Sequence, residues 1–155
     1  MDLDYHKMLL EWLRSNVIDN AFGITLNLKR KLNNIVVDYL DCQRALGFFM
    51  NRMNRNLLKG KFTRGSQRLE VIPTYQIGSF KERQHYHLVV GIPKQKSLKD
   101  VTKISEACWK KVDQSYGKPF IEKVYDDGWL EYSTKIKSRK DLIDCNNLHL
   151  ETLVV

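Results

Sequence analysis

The sequence predicts an α+β protein built on a central antiparallel sheet with flanking helices. Its 155 residues are the usual size of one domain, and 43% hydrophobic with 28% charged residues suit a chain that buries a core. Stretches with apolar residues at helical spacing alternate with stretches in which every second residue is apolar. Two of the latter follow each other closely enough to pair as a hairpin, which makes the sheet antiparallel. We expect a single domain over residues 1–155.

The first half of the chain predicts a helix, a strand and a second helix. An N-terminal helical extension is expected within residues 1–20, and a half-buried strand at 21–28. A long helix should run from Asp38, a suitable N-cap, to Leu58, because Gly60 lies just beyond that point.

The second half predicts a hairpin followed by a helix, a strand and a helix. A strand at 69–77 contains Pro73, which lacks a ladder donor, so we expect a bulge or a sheet edge there. This strand should pair with one at 84–93. The other expected elements are a helix at 98–116 capped by Ser97, a strand at 120–125, a helix at 129–140, and a C-terminal tail at 146–155 that forms either a last strand or a small partner-binding segment.

The charge of the chain predicts a polyanionic partner. Twenty-six Lys and Arg against eighteen Asp and Glu give a net charge of +8, which favours nucleic acid, although basic surfaces also serve solubility. Two aromatic residues, Phe62 and Phe80, would stack on unpaired bases if they are exposed. The expected DNA contacts are two basic loops, Lys29, Arg30 and Lys31 after the first strand and Lys61, Arg64 and Arg68 before the second.

The cysteines and the N-terminus bear on the compartment. Cys42, Cys108 and Cys145 are widely and irregularly spaced, which predicts neither a disulfide framework nor a zinc site. The acidic N-terminus has no apolar signal-peptide region, and no apolar run approaches the length of a membrane span. We therefore expect a soluble protein of a reducing compartment, the cytoplasm, with no membrane partner.

Two histidines, one residue apart, mark the strand at 84–93. Alternation along a strand puts His85 and His87 on one face. Because histidine is the commonest side-chain metal ligand, two imidazoles on one strand face can hold one divalent ion. A pair of partly exposed histidines without a ligand is the alternative that this stretch alone leaves open.

A tyrosine and a lysine three residues apart lie in the expected helix at 129–140. On a helix Tyr132 and Lys135 share a face. A phenol, whose usual pKa is about 10, attacks poorly unless a cation stabilises the phenolate or the phosphate that it attacks. A metal held by the histidines can polarise and orient such a phosphate. Taken alone, Tyr132 would more often be a packing residue with a solvated hydroxyl.

In this combination the chain resembles the HUH endonucleases, and within them the rolling-circle replication initiators that use a single tyrosine. His85-Tyr86-His87 matches the family's strand of two histidines around a hydrophobic residue. Tyr132-Ser133-Thr134-Lys135 matches its Y-x-x-K helix, and Ile24-Thr25-Leu26 loosely matches its first motif. The motif order is that of the initiators, because conjugative relaxases carry their tyrosines near the N-terminus. The similarity covers roughly residues 21–140 through short motifs, and implies a ferredoxin-like or RRM-like nuclease fold.

The resemblance implies a metal-dependent, sequence-specific endonuclease and strand transferase. Tyr132 would attack a phosphodiester of single-stranded DNA at a replication origin, leaving a 5′-phosphotyrosyl adduct and a free 3′-hydroxyl, with Lys135 near the tyrosine or the phosphate. Tyr125 is the rival nucleophile, since some initiators use two tyrosines. A host polymerase and a separate helicase would complete replication of a plasmid or phage in a bacterial or archaeal cell.

The resemblance also implies a divalent metal, Mn²⁺ or Mg²⁺, held by His85 and His87. Family members usually add a third ligand, often Glu, from the preceding strand, and here Gln76 is the best-placed residue. Glu70 has the same strand parity but lies six residues further from the hairpin turn. Imidazole suits Mn²⁺ while Mg²⁺ prefers oxygen, so we expect stronger activity with Mn²⁺.

Three other functions stay open at this point. One is a single-tyrosine transposase with the same chemistry. The second is a non-catalytic nucleic-acid-binding module in which the histidines are incidental. The third is a basic adaptor that binds DNA only through its charge, and its binding would survive the loss of both histidines. A sheet-surface RNA binder would normally show an aromatic-rich strand motif, and none of that form occurs here.

Overall fold

The computed structural model describes residues 20–77, 83–124 and 142–150. Their helices and strands are β1 (Ala21–Leu28), β2 (Lys31–Leu32), β3 (Ile35–Val36), α1 (Tyr39–Leu58), α2 (Gly60–Thr63), β4 (Val71–Gln76), β5 (His85–Gly91), α3 (Leu98–Lys110), β6 (Ser115–Lys123) and β7 (Leu142–Ile143).

Five of the strands form one antiparallel sheet in the order β6-β1-β5-β4-β7, and β2 pairs with β3 in a separate ribbon. The predicted α+β class with a central antiparallel sheet and flanking helices is therefore confirmed. The histidine strand β5 is central, because β1 pairs with one side of it and β4 with the other. Residues on β5 consequently have cross-strand neighbours on both sides.

One face of the sheet, which we call the helix face, packs against α1 and α3. The even-numbered residues of β1 and β5, such as Leu26, Tyr86 and Leu88, are fully buried there. Phe49 of α1 and Trp109 of α3 close the same core, with ring centroids 5.7 Å apart. Alternation therefore turns His85 and His87 to the opposite face.

The capping signal of α1 was predicted correctly. The Asp38 carboxylate accepts from the Asp41 backbone N–H at 2.8 Å, and the Asp41 carboxylate accepts in return from the Asp38 N–H at 3.1 Å. Such a reciprocal box satisfies two N–H groups that the helix leaves unpaired. The helix begins and ends as expected, except that Gly60 starts the short helix α2 after Lys59, whose φ is 50°.

The predicted helix at 98–116 is too long, and the strand predicted at 120–125 begins earlier than expected. Helix α3 ends at Lys110 and β6 starts at Ser115. Gly117, taken as a helix stop, has a φ of 67° and lies where the pairing of β6 with β1 shifts register. Glycine tolerates this conformation, so the Gly-Lys-Pro segment forms an irregularity within an edge strand.

Pro73 causes no bulge. The register of β4 with β5 is continuous, with Pro73 directly opposite Leu88. The Pro73 carbonyl accepts from the Asp144 N–H, and the nitrogen of the same residue points to that side as well. The missing donor therefore faces the β7 side, where only a two-residue strand follows. The prediction offered a bulge or a sheet edge, and the second is close to correct. Among the described strands, β4 is followed on that side of the sheet by the two-residue strand β7.

Several predictions concern other parts of the chain. The helical extension expected within residues 1–20, apart from Asn20, lies outside the described residues. So do the whole helix expected at 129–140 and residues 151–155 of the tail. Of the tail, His149 forms a bridge with Val71 and Leu150 is buried, so this part packs on the protein's own sheet. The β2-β3 ribbon was not predicted, because no strand was expected between the basic loop at 29–31 and the helix that follows Asp38.

Candidate metal centre

The histidines lie in two polar rows that cross the sheet on the face opposite the helices, which we call the histidine face. In one row Thr25 of β1, His87 of β5 and Thr74 of β4 are direct cross-strand partners. The other row, one step nearer the chain reversal between β4 and β5, consists of Asn27, His85 and Gln76. Six polar side chains thus share one small area of the histidine face.

His85 has a contact to an oxygen atom on each ring nitrogen. Its Nδ1 lies 3.1 Å from the Arg83 carbonyl oxygen, and its Nε2 lies 2.7 Å from Oε1 of Gln76. When Nδ1–H donates to the carbonyl, the Nε2 lone pair faces the amide oxygen. Metal-binding histidines are commonly oriented by such a bond from the other nitrogen. In the other tautomer of His85, Nε2–H instead donates to Oε1 of Gln76.

His87 is oriented by the neighbouring strand. Its Nδ1 lies 3.2 Å from the Thr25 hydroxyl, and its ring centroid lies 4.9 Å from that of His85. On its other side, the Thr74 hydroxyl is fully buried and has no hydrogen-bond partner within the described part of the chain. A buried hydroxyl without a partner costs about 1–3 kcal/mol of stability.

Gln76, and not Glu70, lies beside the histidines. The two candidates are at opposite ends of the hairpin, since the Glu70 carbonyl accepts from the N–H of Gly91 at the far end of β5. Neighbouring ligands of an octahedral ion with bonds of about 2.1 Å lie roughly 3.0 Å apart, close to the 2.7 Å between His85 Nε2 and the Gln76 oxygen. The spacing of these two atoms is therefore that of neighbouring ligands of one divalent ion.

This set carries no formal charge while the histidines are neutral. Within the ranges that the structure describes, no three His, Cys, Asp or Glu side chains form a cluster that could hold a metal. Carboxylates strengthen the binding of hard cations, so a site without one should bind Mg²⁺ weakly and favour metals that accept nitrogen.

A buried polar network on the helix face supports the start of β5. Gln84 donates through Nε2 to the Val37 carbonyl at 2.7 Å and accepts from the Tyr75 hydroxyl and, at 3.4 Å, from the Cys42 thiol. Burial is the main cause that raises the pKa of Cys42 to about 12 and that of Tyr75 above its usual range. Both groups stay protonated near neutral pH, so they serve as hydrogen-bond donors.

A second network holds the chain that follows β7. The buried Asp144 carboxylate accepts from the Tyr86 hydroxyl at 2.8 Å, from Gln43 Nε2 at 3.0 Å and from Asn147 Nδ2 at 2.7 Å. These bonds tie residues 144–147 to both α1 and β5. Burial, and then the charge of Asp144, raise the pKa of Tyr86 far above its usual range.

Aromatic residues of β6 extend both polar rows. Phe120 is the cross-strand partner of Thr25 and is 62% exposed, and Tyr116 is the partner of Asn27. The Arg83 guanidinium carbon lies 3.5 Å from the centroid of the Tyr116 ring. Sequence reasoning missed these residues because Tyr116 was assigned to a helix. The parity of β6 would have identified Phe120 once its pairing with β1 was known.

The two predicted basic loops lie at opposite ends of the sheet. Lys29, Arg30 and Lys31 follow the end of β1 that pairs with His85. The other set follows α1, whose 20 residues span about 30 Å. Those residues, Lys61, Arg64 and Arg68, precede the start of β4, which pairs with the far end of β5. The structure therefore brings only the first set to the end of the sheet where the histidines lie.

The expected nucleophile and its helper are not among the described residues. Tyr132, Lys135 and the rival Tyr125 all lie in the stretch 125–141, outside the described ranges. Phe80 lies in another stretch outside them, 78–82. Their roles stay predictions from the sequence. Of the predicted site residues that are described, the structure brings together His85, His87 and Gln76.

Comparison with known proteins identifies no relative. No model of a protein family matches the chain, and a search of curated proteins finds none that is similar to it. Within the described residues, no helix combines the length and the apolar character that crossing a membrane requires.

Proposed function

We propose that this protein is a metal-dependent enzyme that nicks and rejoins single-stranded DNA through a tyrosine, and that it starts rolling-circle replication. The observation that carries the proposal is the convergence of His85, His87 and Gln76, all partly exposed, on one face of the sheet. The Nδ1 atom of His85 lies beside the Arg83 carbonyl oxygen, and that of His87 lies beside the Thr25 hydroxyl. Such second contacts are typical of histidines that hold a metal through Nε2.

In this proposal the three residues hold Mn²⁺ or Mg²⁺, which when bound neutralises charge on the scissile phosphate and orients it. The Tyr132 oxygen forms a bond to phosphorus while the bond from phosphorus to the 3′ oxygen breaks. The phenolic proton is lost and the 3′ oxygen gains one, so a phosphotyrosine diester and a 3′-hydroxyl result. The reverse reaction rejoins the strand. Lys135 balances negative charge on the tyrosine or the phosphate.

The chain on either side of residues 125–141 supports a role for Tyr132 at this face. Val124 packs against a small apolar cluster that continues the histidine face beyond the polar rows. Ile143, the direct partner of Thr74, belongs to the same cluster. The segment that carries Tyr132 therefore leaves the described fold, and rejoins it, beside the face that carries the histidines. The other members of the cluster are Ala21, Ile72, Val89, Leu148 and Leu150.

The substrate of the proposal is unpaired DNA. Exposed Phe120 lies in the same row as His87, where it can stack on a base next to the phosphate, and stacking tolerates any sequence. Lys29, Arg30 and Lys31 lie at the same end of the sheet as His85 and can neutralise neighbouring phosphates.

A covalent-adduct assay tests the proposal. The protein is incubated with labelled single-stranded oligonucleotides from the replication origin of its own element and Mn²⁺, and a slower protein–DNA band is sought on a denaturing gel. We expect the band to require metal and to disappear with EDTA, in Tyr132→Phe and in His87→Ala. A band that persists in Tyr132→Phe but is lost in Tyr125→Phe would contradict the assignment of the nucleophile.

The non-catalytic binding module predicts a different pattern. If the histidines are incidental, wild type and His87→Ala bind the oligonucleotide equally and neither forms an adduct with any divalent metal. Thr102→Ala on the exposed surface of α3 serves as a control that leaves the histidine face unchanged.

A further inference from the structure

Almost all of the net charge is concentrated in one stretch of the chain. Residues 42–69 contain seven Lys and Arg and no Asp or Glu, which leaves nineteen cationic and eighteen acidic residues in the rest of the protein. The stretch covers most of α1, all of α2 and the loop before β4. The charge that indicates a polyanionic partner therefore lies mainly on these elements and not around the histidines.

On α1 these cations form a stripe. With about 100° between successive residues of a helix, four side chains of α1 and that of Lys59, which caps its C-terminus, lie within an arc of roughly 80°. We call them the basic stripe: Arg44, Phe48, Arg52, Arg55 and Lys59. Arg52 is half-buried and the other four are exposed, Phe48 by 54%.

The basic stripe faces away from the sheet. Buried residues of α1 such as Leu46, Phe49 and Met53 pack on the helix face, so the stripe on the other side of α1 looks into solvent. The stripe and the histidines consequently lie on opposite sides of the sheet. A strand held at the histidine face has no direct route to the stripe.

The surface continues beyond the end of α1. A cavity of about 380 Å³ is lined by Arg55, Phe62, Thr63, Ser66 and Arg68, and the Arg68 guanidinium carbon lies 5.9 Å from the Phe62 ring centroid. Two guanidinium groups and two hydroxyls around one cavity suit a phosphate group, because such donors bind its oxygens.

We propose that the basic stripe and this cavity bind duplex DNA, as a second nucleic-acid surface that is separate from the histidine face. The stripe runs from residue 44 to residue 59, about 22 Å along the helix axis, which matches about six or seven base pairs of a rigid duplex. A single helix also fits the width of the major groove, about 12 Å. Surfaces for single strands rely on rows of aromatic residues, whereas this one consists mainly of cations. The partner that we assign is therefore the phosphate backbone of a duplex, read without base specificity.

The test measures binding of a labelled 20-base-pair duplex of arbitrary sequence by fluorescence anisotropy, in EDTA and at several salt concentrations. The variant Arg44→Gln/Arg55→Gln/Arg64→Gln removes three exposed charges of this surface. Lys99→Gln/Lys103→Gln/Lys110→Gln removes three exposed charges of α3 and is the control of equal net charge. We expect the affinity of the first variant to fall about tenfold or more. The slope of log affinity against log salt concentration should become shallower by about 2 to 3, because each lost phosphate contact removes roughly 0.9 from it. The control should change both by less than half as much.

Two results would overturn the inference. Equal losses in the two triple variants would mean that affinity depends on net charge alone, and an unchanged affinity in the first variant would mean that the stripe is only a solvated face. A third arm uses a 20-nucleotide single strand, and an equal loss for single strand and duplex would refute the duplex assignment. Because neither metal nor origin sequence is present, these outcomes are independent of the nicking assay.

Discussion

At the scale of single residues, the candidate metal centre depends on which strand neighbours face His85. The resemblance implies a third ligand on the preceding strand, and distance from the hairpin turn favours Gln76 over Glu70 there. In the structure Gln76 lies opposite His85 with its oxygen 2.7 Å from Nε2. The cross-strand neighbours in this hairpin can be predicted because side chains alternate strictly along each strand and the two strands are close in sequence. The contribution of Thr25 and Thr74 depends on pairing with β1 and on burial, which no local pattern reveals.

Replacing the amide ligand with a carboxylate should strengthen metal binding. Gln76→Glu keeps the oxygen ligand and adds one negative charge, so we expect the half-saturating concentrations of Mn²⁺ and Mg²⁺ to fall by about tenfold, with the larger relative gain for Mg²⁺. Isothermal titration of each metal into wild type and variant measures this effect. Glu70→Gln, at the far end of the hairpin, is the control and should leave both affinities unchanged. A carboxylate at position 76 that leaves metal binding unchanged would mean that Gln76 is not a ligand.

Phe120 should contribute to the binding of single strands without stabilising the fold. Its ring is 62% exposed beside Thr25, and base stacking contributes about 1–3 kcal/mol. We expect Phe120→Ala to weaken anisotropy-measured binding of a single-stranded oligonucleotide by about fivefold or more, with little change in Tm. Leu98→Ala, another exposed apolar residue but on α3, is the matched control. A loss in Tm without a loss in affinity would assign Phe120 to packing.

At the scale of elements, strong local signals were read correctly and irregular ones were not. Strand β1 and the capped start of α1 occur where the sequence predicts them. The end of α3 was misplaced because residues 111–116 keep apolar positions that suit a helix, while pairing of β6 with β1 favours a strand. That pairing is a tertiary effect, so propensity within the segment does not reveal it.

The Asp144 network should contribute strongly to stability. Asp144→Ala leaves the Tyr86 hydroxyl and the Gln43 amide without their shared acceptor, and each unpaired buried group costs about 1–3 kcal/mol. We therefore expect the free energy of unfolding in urea to fall by about 3 kcal/mol. Asp113→Ala, at an exposed position, should change it by less than about 0.5 kcal/mol. Similar values for the two variants would show that the network adds no net stability.

At the scale of the whole molecule, the net charge alone did not reveal where DNA would bind. The sequence gives a total of +8, and the fold separates its two basic regions by the length of α1. Lys61, Arg64 and Arg68 seemed equivalent to Lys29, Arg30 and Lys31 as loop residues. The direction of α1 beneath the sheet places Lys61, Arg64 and Arg68 at the end of the sheet that is far from the histidines.

The buried protonated groups predict a loss of stability at alkaline pH. Burial is the first cause that raises the pKa of Cys42 from its usual 9.0 to about 12 and that of Tyr39 from 10.0 to about 12. In the unfolded chain these groups lose their protons first, so the unfolded state is favoured as pH rises through this window. We expect the urea midpoint to be steady from pH 7 to 8 and to fall progressively between about pH 9 and 12. A midpoint that stays constant to pH 11 would contradict the burial of these groups.

We propose that His85, His87 and Gln76 hold one divalent metal on the histidine face, and Mn²⁺ binding tests this proposal most directly. Free Mn²⁺ gives an electron paramagnetic resonance signal that weakens when the ion binds protein, so titration counts the sites. The account predicts one site per chain in wild type and in Tyr132→Phe, and its loss in the double variant His85→Ala/His87→Ala with the fold retained by circular dichroism. A folded double variant that binds Mn²⁺ as wild type does would contradict it.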